Sequence, residues 1–407
     1  MAVDAIPLIV GLIVLLASII SLRIGISVAI IEILFGVLVG HYGFHAEPWM
    51  TYLAGFGGII LTFLAGTEID TVLMKEKFKE SMLLGIASFS LPFLGVLSYT
   101  YWVAGWSLNA SLISGIALST TSLAVVYSVL IESNLSKTKL GKLLMASTFV
   151  TDMGTALALS LIFIKPTLYT LLFIIVSIIF IFLAGKYSHK IFNNIKYKDK
   201  VVQPEIKWIF LVLLVFMYFA NLGESQAVLP AFVFGFVMSK YFHEKSESKE
   251  VIKRLRVVAY AIITPFFFIV GGLNVSIPLI ISAIGLFIIL FVIKIATKFL
   301  GVYFLAKKYI PHGSMYTTLL MSTGLTFGTI ASYFGLQAGY INQVQFSVLI
   351  GVVIASAVIP TFFAQKWFKP VDSEDIINGD AKWSGLERRN ADRRKGQDRR
   401  LTDRRKH

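Results

Sequence analysis

Residues 143–164 read LLMASTFVTDMGTALALSLIFI, an apolar stretch whose one ionisable side chain is Asp152. A helix rises about 1.5 Å per residue, so counting from Lys142 at the basic end places this carboxylate about 15 Å in, near the midplane of a ~30 Å hydrocarbon core. An acid at that depth marks a functional site by default, because a bare charge is disfavoured there and a proton or a metal cation would neutralise it.

Outward from that stretch the chain keeps the same character. Of its 407 residues 56% are hydrophobic, mean hydropathy is +0.78, and charge is confined to short clusters between long apolar runs. The pattern predicts an all-α integral membrane protein with about thirteen spans of roughly 17 to 25 residues. They lie near 5–22, 25–43, 49–67, 81–105, 107–131, 141–164, 167–184, 205–222, 226–243, 257–274, 277–306, 313–337 and 343–366. Alternate connections are basic (Arg23; Lys75, Lys77 and Lys79; Lys137, Lys139 and Lys142; Lys186 to Lys207; Lys240 to Arg256; Lys307 and Lys308), and Lys165 is the clear exception among the others. Positive charge stays inside, so the N-terminus is expected outside, the C-terminus in the cytoplasm, and the chain in the cell (plasma or inner) membrane. No basic segment precedes the first apolar run, which is therefore kept as a genuine span.

The net charge of +14 is not a nucleic-acid signal, because the basic residues fall in connections and in the tail. The absence of cysteine excludes disulfides, thiolate metal sites and thiol catalysis. After Lys369 the composition turns to Asp372, Glu374 and Asp375 and then to arginine pairs such as Arg388-Arg389 and Arg404-Arg405. Residues 370–407 are thus expected to form a disordered cytoplasmic tail that touches anionic lipid headgroups.

The chain also parallels itself. Ile31 to Gly36 in the second span matches Leu229 to Gly235 in the ninth, and Phe63 to Asp70 matches Phe268 to Val275 in the third and tenth. Ser119-Thr120-Thr121-Ser122 matches Ser322-Thr323-Gly324-Leu325-Thr326 in the fifth and twelfth. An offset of seven spans reverses orientation, which predicts two inverted six-helix repeats, about 5–164 and 205–366, joined by a linker helix at 167–184 within a membrane domain of 1–369. In that plan the Ser/Thr/Gly clusters are helix breaks at midplane depth, with Thr121 about 18 Å from the outer end of its span and Thr323 about 15 Å from the inner end of its own. Unwound backbone there would expose carbonyls to a cation; close packing of small residues is the competing role.

The eleventh span adds Lys294 and Lys298 on one helical face, about 20 and 13 Å from its cytoplasmic end. Lys298 is the better depth match to Asp152; Lys294 is an accessory or structural candidate. Among the other acids, Glu32 reads as packing or dimer-side, Glu68 and Asp70 as a structural or entry-funnel pair near the Lys75 cluster, and Glu224 as solvated in an outer loop.

These residues resemble the monovalent cation:proton antiporter superfamily, in the NapA/Kef-type sodium/proton exchanger branch, over essentially residues 5 to 366. The resemblance rests on Leu64 to Asp70, Ala117 to Val126, Phe149 to Gly154, Ala231 to Gly235 and Lys298-Phe299-Leu300-Gly301, in that order and spacing. It implies the NhaA/NapA-like fold with crossed broken helices, a homodimer, elevator-like alternating access, and Asp152 as the ion-binding carboxylate and a ligand to a transported Na⁺. Where electrogenic members carry two adjacent aspartates, this chain has Thr151, so the usual partner of the lysine matching Lys298 is missing; Lys298 could pair with Asp152 in the empty state or rest neutral. Kef-type proteins usually append a nucleotide-binding domain to the membrane domain, whereas here the basic tail is expected in that place.

The expected function is exchange of a monovalent cation, Na⁺ first and K⁺ or Li⁺ behind it, for H⁺ at Asp152, aided by Thr151, Thr120, Thr121 and Ser122. Lys298 compensates charge, and Lys294, Glu68, Asp70, Thr323 and Gly324 are accessory candidates. No cofactor and no enzymatic activity are expected, and membrane lipid and a second copy of the chain are the expected partners. A K⁺/H⁺ antiporter, an anion symporter and a non-transporting membrane sensor on the same fold are the rival readings.

Overall fold

The structure, a computed structural model, describes residues 6–24, 27–68, 77–133, 135–136, 138–164, 167–192, 203–223, 225–244 and 246–370. Asp70, Lys75, Glu224, Lys165 and the tail from 371 lie outside the described residues.

Among the described residues nine helical stretches are long and apolar enough to cross a membrane, and Val28–His41, Leu108–Ser119, Leu168–Leu183 and Val228–Ser239 are shorter apolar helices. The chain opens with α1 (Ile6–Ile24), α2 (Val28–His41) and α3 (Pro48–Thr67), then α4 (Phe78–Ser98), whose last turn widens into a π-turn over Tyr99–Val103. A broken pair follows, α5 (Leu108–Ser119) and α6 (Leu123–Glu132), and then α7 (Lys139–Ile162), which carries Asp152. The Thr138 hydroxyl caps α7 by accepting from the Gly141 N–H at 3.1 Å, which satisfies one of the free donors of its first turn. Next come α8 (Leu168–Phe192), α9 (Pro204–Leu222), α10 (Val228–Glu244), α11 (Ser246–Val258) and α12 (Thr264–Leu273). The last third holds α13 (Ile277–Ser282), α14 (Ile284–Lys298), α15 (Phe304–Tyr309), a second broken pair, α16 (Ser314–Met321) and α17 (Thr326–Gln337), and finally α18 (Gln343–Trp367).

The helices sort into two bundles. In the first, α2 packs on α12 and α3 packs on α10 and α12. The α2–α12 and α3–α10 crossings are made by glycine: Gly36 lies against Gly272 and the Ile269 carbonyl, and Gly66 lies against Gly235 and the Phe232 carbonyl. Without side chains at those points the backbones approach closely enough for dispersion to hold apolar helices together in lipid, where burial itself drives little. In the second bundle α4 packs on α5, α7 and α14, and α18 packs on α14, α16 and α17.

Two features differ from the sequence expectation. The basic connection before the tenth span is helical: α11 buries Val251, Ile252 and Leu255 while Lys253 stays outside. The i, i+1, i+4 spacing makes one apolar stripe, masked in a composition reading by the charges around it. The eleventh span is not continuous either, because the chain bends at Ala283 (φ −109°, ψ 27°), whose N–H turns back to the Leu279 and Ile280 carbonyls. Residues 277–282 are thus a separate short helix.

Candidate ion site

Both Ser/Thr/Gly clusters are breaks, and the two breaks meet. Thr120 leaves α5 in extended backbone (φ −65°, ψ 158°), and four residues separate the end of α16 at Met321 from the start of α17 at Thr326. The Ser122 N–H donates to the Thr323 carbonyl at 3.0 Å, and the Thr121 hydroxyl donates to the Met321 carbonyl at 2.9 Å. These bonds satisfy backbone groups that a broken helix leaves open. They also bring the carbonyl ends of α5 and α16, each partly negative, together with the N-terminal ends of α6 and α17, each partly positive.

Asp152 stands beside this crossing on α7, which packs on α5, α16 and α17. The residue is 2% exposed, and its Oδ1 has no hydrogen-bond partner. A buried carboxylate oxygen left open costs free energy unless a proton or a cation reaches it. Thr151 and Thr155 are fully buried on the same helix but donate their hydroxyls to the Thr148 carbonyl at 2.6 Å and the Thr151 carbonyl at 2.9 Å. Three residues before Asp152, Phe149 stacks on Phe232 and Phe236 of α10, with ring centroids 5.4 and 5.9 Å apart.

The two lysines of α14 are both fully buried. Lys298 Nζ donates to Ser88 Oγ at 2.8 Å and to Thr121 Oγ1 at 3.0 Å. It lies within electrostatic range of Asp152 without forming an ion pair with it. Thr121 therefore accepts from the lysine and donates to Met321, which ties α4, α14 and both breaks into one chain of hydrogen bonds. Lys294 Nζ has no partner, nor has Thr120 Oγ1. Ser122 Oγ faces the Val125 N–H at 3.5 Å, near the start of α6. Thr323 donates its hydroxyl to the Leu320 carbonyl at 2.7 Å, and the Gly324 carbonyl accepts from Ser356 of α18 at 3.4 Å.

Thr120, Thr121, Ser122, Asp152, Thr151, Lys294, Lys298, Thr323 and Gly324 thus share one buried region. Glu68 lies apart, at the C-terminal end of α3, where Arg256 Nη2 of α11 bonds it at 3.3 Å. It remains within electrostatic range of Asp152. Asp70 is outside the described residues, and Glu32, 2% exposed, belongs to the first bundle. Ser88, Ser356 and Arg256 were not singled out by the sequence. The small-residue stripe Ser81, Gly85, Ser88 at helical spacing was the available signal for the first; Ser81 and Ser88 are buried, and Gly85 sits against Val150 of α7.

Between the bundles lies a cavity of about 470 Å³ lined by Thr51, Tyr52, Asn221, Gln226, Tyr333 and Gln337 among others. It joins α3 and α9 to α17.

A bundle of apolar helices in which two broken helices cross beside one open, buried carboxylate defines an ion-handling membrane protein of the secondary-transporter class. The chain belongs to the sodium/hydrogen exchanger transmembrane family, whose model matches residues 11–368. It is 29% identical over 374 residues to the Na(+)/H(+) antiporter of Enterococcus hirae, covering 88% of this chain and 95% of that one. It is 25% identical over 342 residues to "Probable Na(+)/H(+) antiporter 3" of Methanocaldococcus jannaschii, covering 80% and 86%. The fold is similar to that of the sodium proton antiporter MjNhaP1 from Methanocaldococcus jannaschii at pH 8, with TM-score 0.66, 15% identity, and 87% and 95% of the two chains covered.

Proposed function

We propose that this protein exchanges a monovalent cation, Na⁺ first among the candidates, for H⁺ across the cell membrane, by alternating access at Asp152. The observation that carries the reading is the open Oδ1 of a carboxylate 2% exposed, set beside two crossed helix breaks. Membership of the sodium/hydrogen exchanger family supports it. In either facing state Asp152 holds a proton or a dehydrated cation, with oxygens of Thr151, Thr120, Thr121 and Ser122 as the nearby helpers. A bare carboxylate at the midplane is disfavoured by at least about 2.5 kcal/mol, so the neutralised forms cross and the empty one stays. That rule couples the two ions with no covalent step. One titrating acid gives one-for-one, electroneutral exchange.

The bundle that holds α4–α7 and α14–α18 is the moving part in this reading, and the glycine-locked bundle is the fixed one and the dimer side. Gly36 on Gly272 and Gly66 on Gly235 pair the second span with the tenth and the ninth with the third, a pattern that supports inverted repeats. The alternation of basic connections supports an outer N-terminus and a cytoplasmic C-terminus, with the tail against anionic headgroups.

Reconstituted protein tests the reading. Adding Na⁺ outside vesicles that hold a pH gradient should collapse it, and Asp152→Asn should leave only background leak. The rate should be unchanged by an imposed membrane potential. Na⁺-driven proton flux that survives in Asp152→Asn would remove Asp152 from the mechanism, and a marked voltage dependence would remove the one-for-one stoichiometry.

A further inference from the structure

Lys294 and Lys298 lie one turn apart on α14, both at 0% exposure, yet they are treated differently. Lys298 is committed to Ser88 and Thr121. Lys294 Nζ makes no hydrogen bond, and among the described residues no acid forms an ion pair with it. An unpaired ammonium inside a membrane protein is costly, so a lysine there keeps its charge only where its surroundings favour it.

They do so at one place. A methyl group on Gly324 would press at once on Lys294 Nζ, on Thr120 Oγ1 and on the Thr120 carbonyl. Thr120 is the residue at which α5 ends, and Gly324 lies just past the end of α16. The Thr120 hydroxyl is itself buried and unpartnered. The ammonium therefore sits where two half-helices direct their partly negative ends and where a free hydroxyl oxygen and a carbonyl converge. That is the environment broken membrane helices offer to a dissolved cation.

We propose that Lys294 is a resident cation of the crossing: its ammonium fills, in cis, the position a second dissolved cation would take, and so restricts the site to the single cation that neutralises Asp152. A methyl group on Gly324 would meet both the ammonium and Thr120, so the missing side chain leaves the ammonium its place at the crossing. Lys298 cannot do the same work, since Ser88 and Thr121 already hold it. The proposal rests on the exchange reading of Asp152 and adds what sets the number of cations bound.

Equilibrium binding of radioactive Na⁺ to the purified full-length protein tests both and separates them. The wild type should bind one Na⁺ per chain, Asp152→Asn none, Lys294→Met two, and Lys294→Arg, which keeps the charge, one. Lys294→Gln, nearer in length and polarity, replaces the methionine variant if that one fails to fold, and should also bind two. A neutral variant that still binds one Na⁺ overturns the role of Lys294 while leaving Asp152 intact. A wild type that binds none removes the exchange reading, and the proposal with it.

Discussion

Where α2 crosses α12 and α3 crosses α10, glycine lies on glycine and backbone on backbone. Where α5 and α6 cross α16 and α17, the contact is made of hydroxyls and carbonyls beneath two buried lysines and beside a buried acid. The first kind of crossing is complete in itself. The second leaves Asp152 Oδ1, Thr120 Oγ1 and Lys294 Nζ without partners, and a buried polar group left open is a standing free-energy cost. In the proposed exchange the first joint has only to be rigid and the second has to receive an ion, which would put rigidity and ion chemistry in different bundles.

Breaking the glycine joint should have the largest effect on stability. Gly235→Val puts a branched side chain onto the Phe63 carbonyl and Gly66, and overpacking of this kind should cost about 3 kcal/mol. The check is a lowered melting temperature in detergent for Gly235→Val and Gly272→Val, against little change for Gly55→Ala, where a methyl meets open space.

Breaking the hydroxyl joint should cost less stability and more transport. Thr121→Val removes an acceptor from Lys298 and a donor from the Met321 carbonyl, a loss of about 1–3 kcal/mol for buried groups left unsatisfied. If the loss falls on the moving step, exchange slows by about tenfold, since about 1.4 kcal/mol is one decade in rate. Ser88→Ala should have the same sign and a smaller size. A flux assay on protein of matched melting temperature distinguishes this from simple instability.

The smallest effect is expected at the pair Glu68 and Arg256, whose side chains are 19% and 36% exposed. Partly solvated ion pairs contribute within about 1 kcal/mol, so Arg256→Ala should leave stability nearly unchanged and alter flux less than Thr121→Val does. A loss as large as that of Thr121→Val would move part of the ion pathway to the end of α3.

Much of the site was legible because the bilayer penalises what it does not need. Asp152, Lys294 and Lys298 stood out as charges inside apolar runs, and the two Ser/Thr/Gly clusters stood out as weak points in otherwise good helices; all of them converge in the fold. Which lysine is bonded was not legible, because Lys298 finds Ser88, 210 residues away in sequence. Ser88 and Ser356 look like ordinary small residues of packed helices until their partners are seen. The helix α11 was hidden by its charges, since one apolar stripe of Val251, Ile252 and Leu255 does not lift the average of a basic segment. The bend at Ala283 has only a weak mark, Gly285 two residues on, and a single Gly inside a long apolar run is compatible with an unbroken helix.

The most direct measurement counts the protons released when Na⁺ binds. With Na⁺ and H⁺ competing for one carboxylate, purified protein in weak buffer at a pH where Asp152 is protonated should release one proton for each Na⁺ bound, and Asp152→Asn should release none. Na⁺ binding to the wild type without any proton release would contradict the account, because the two ions would then not share Asp152.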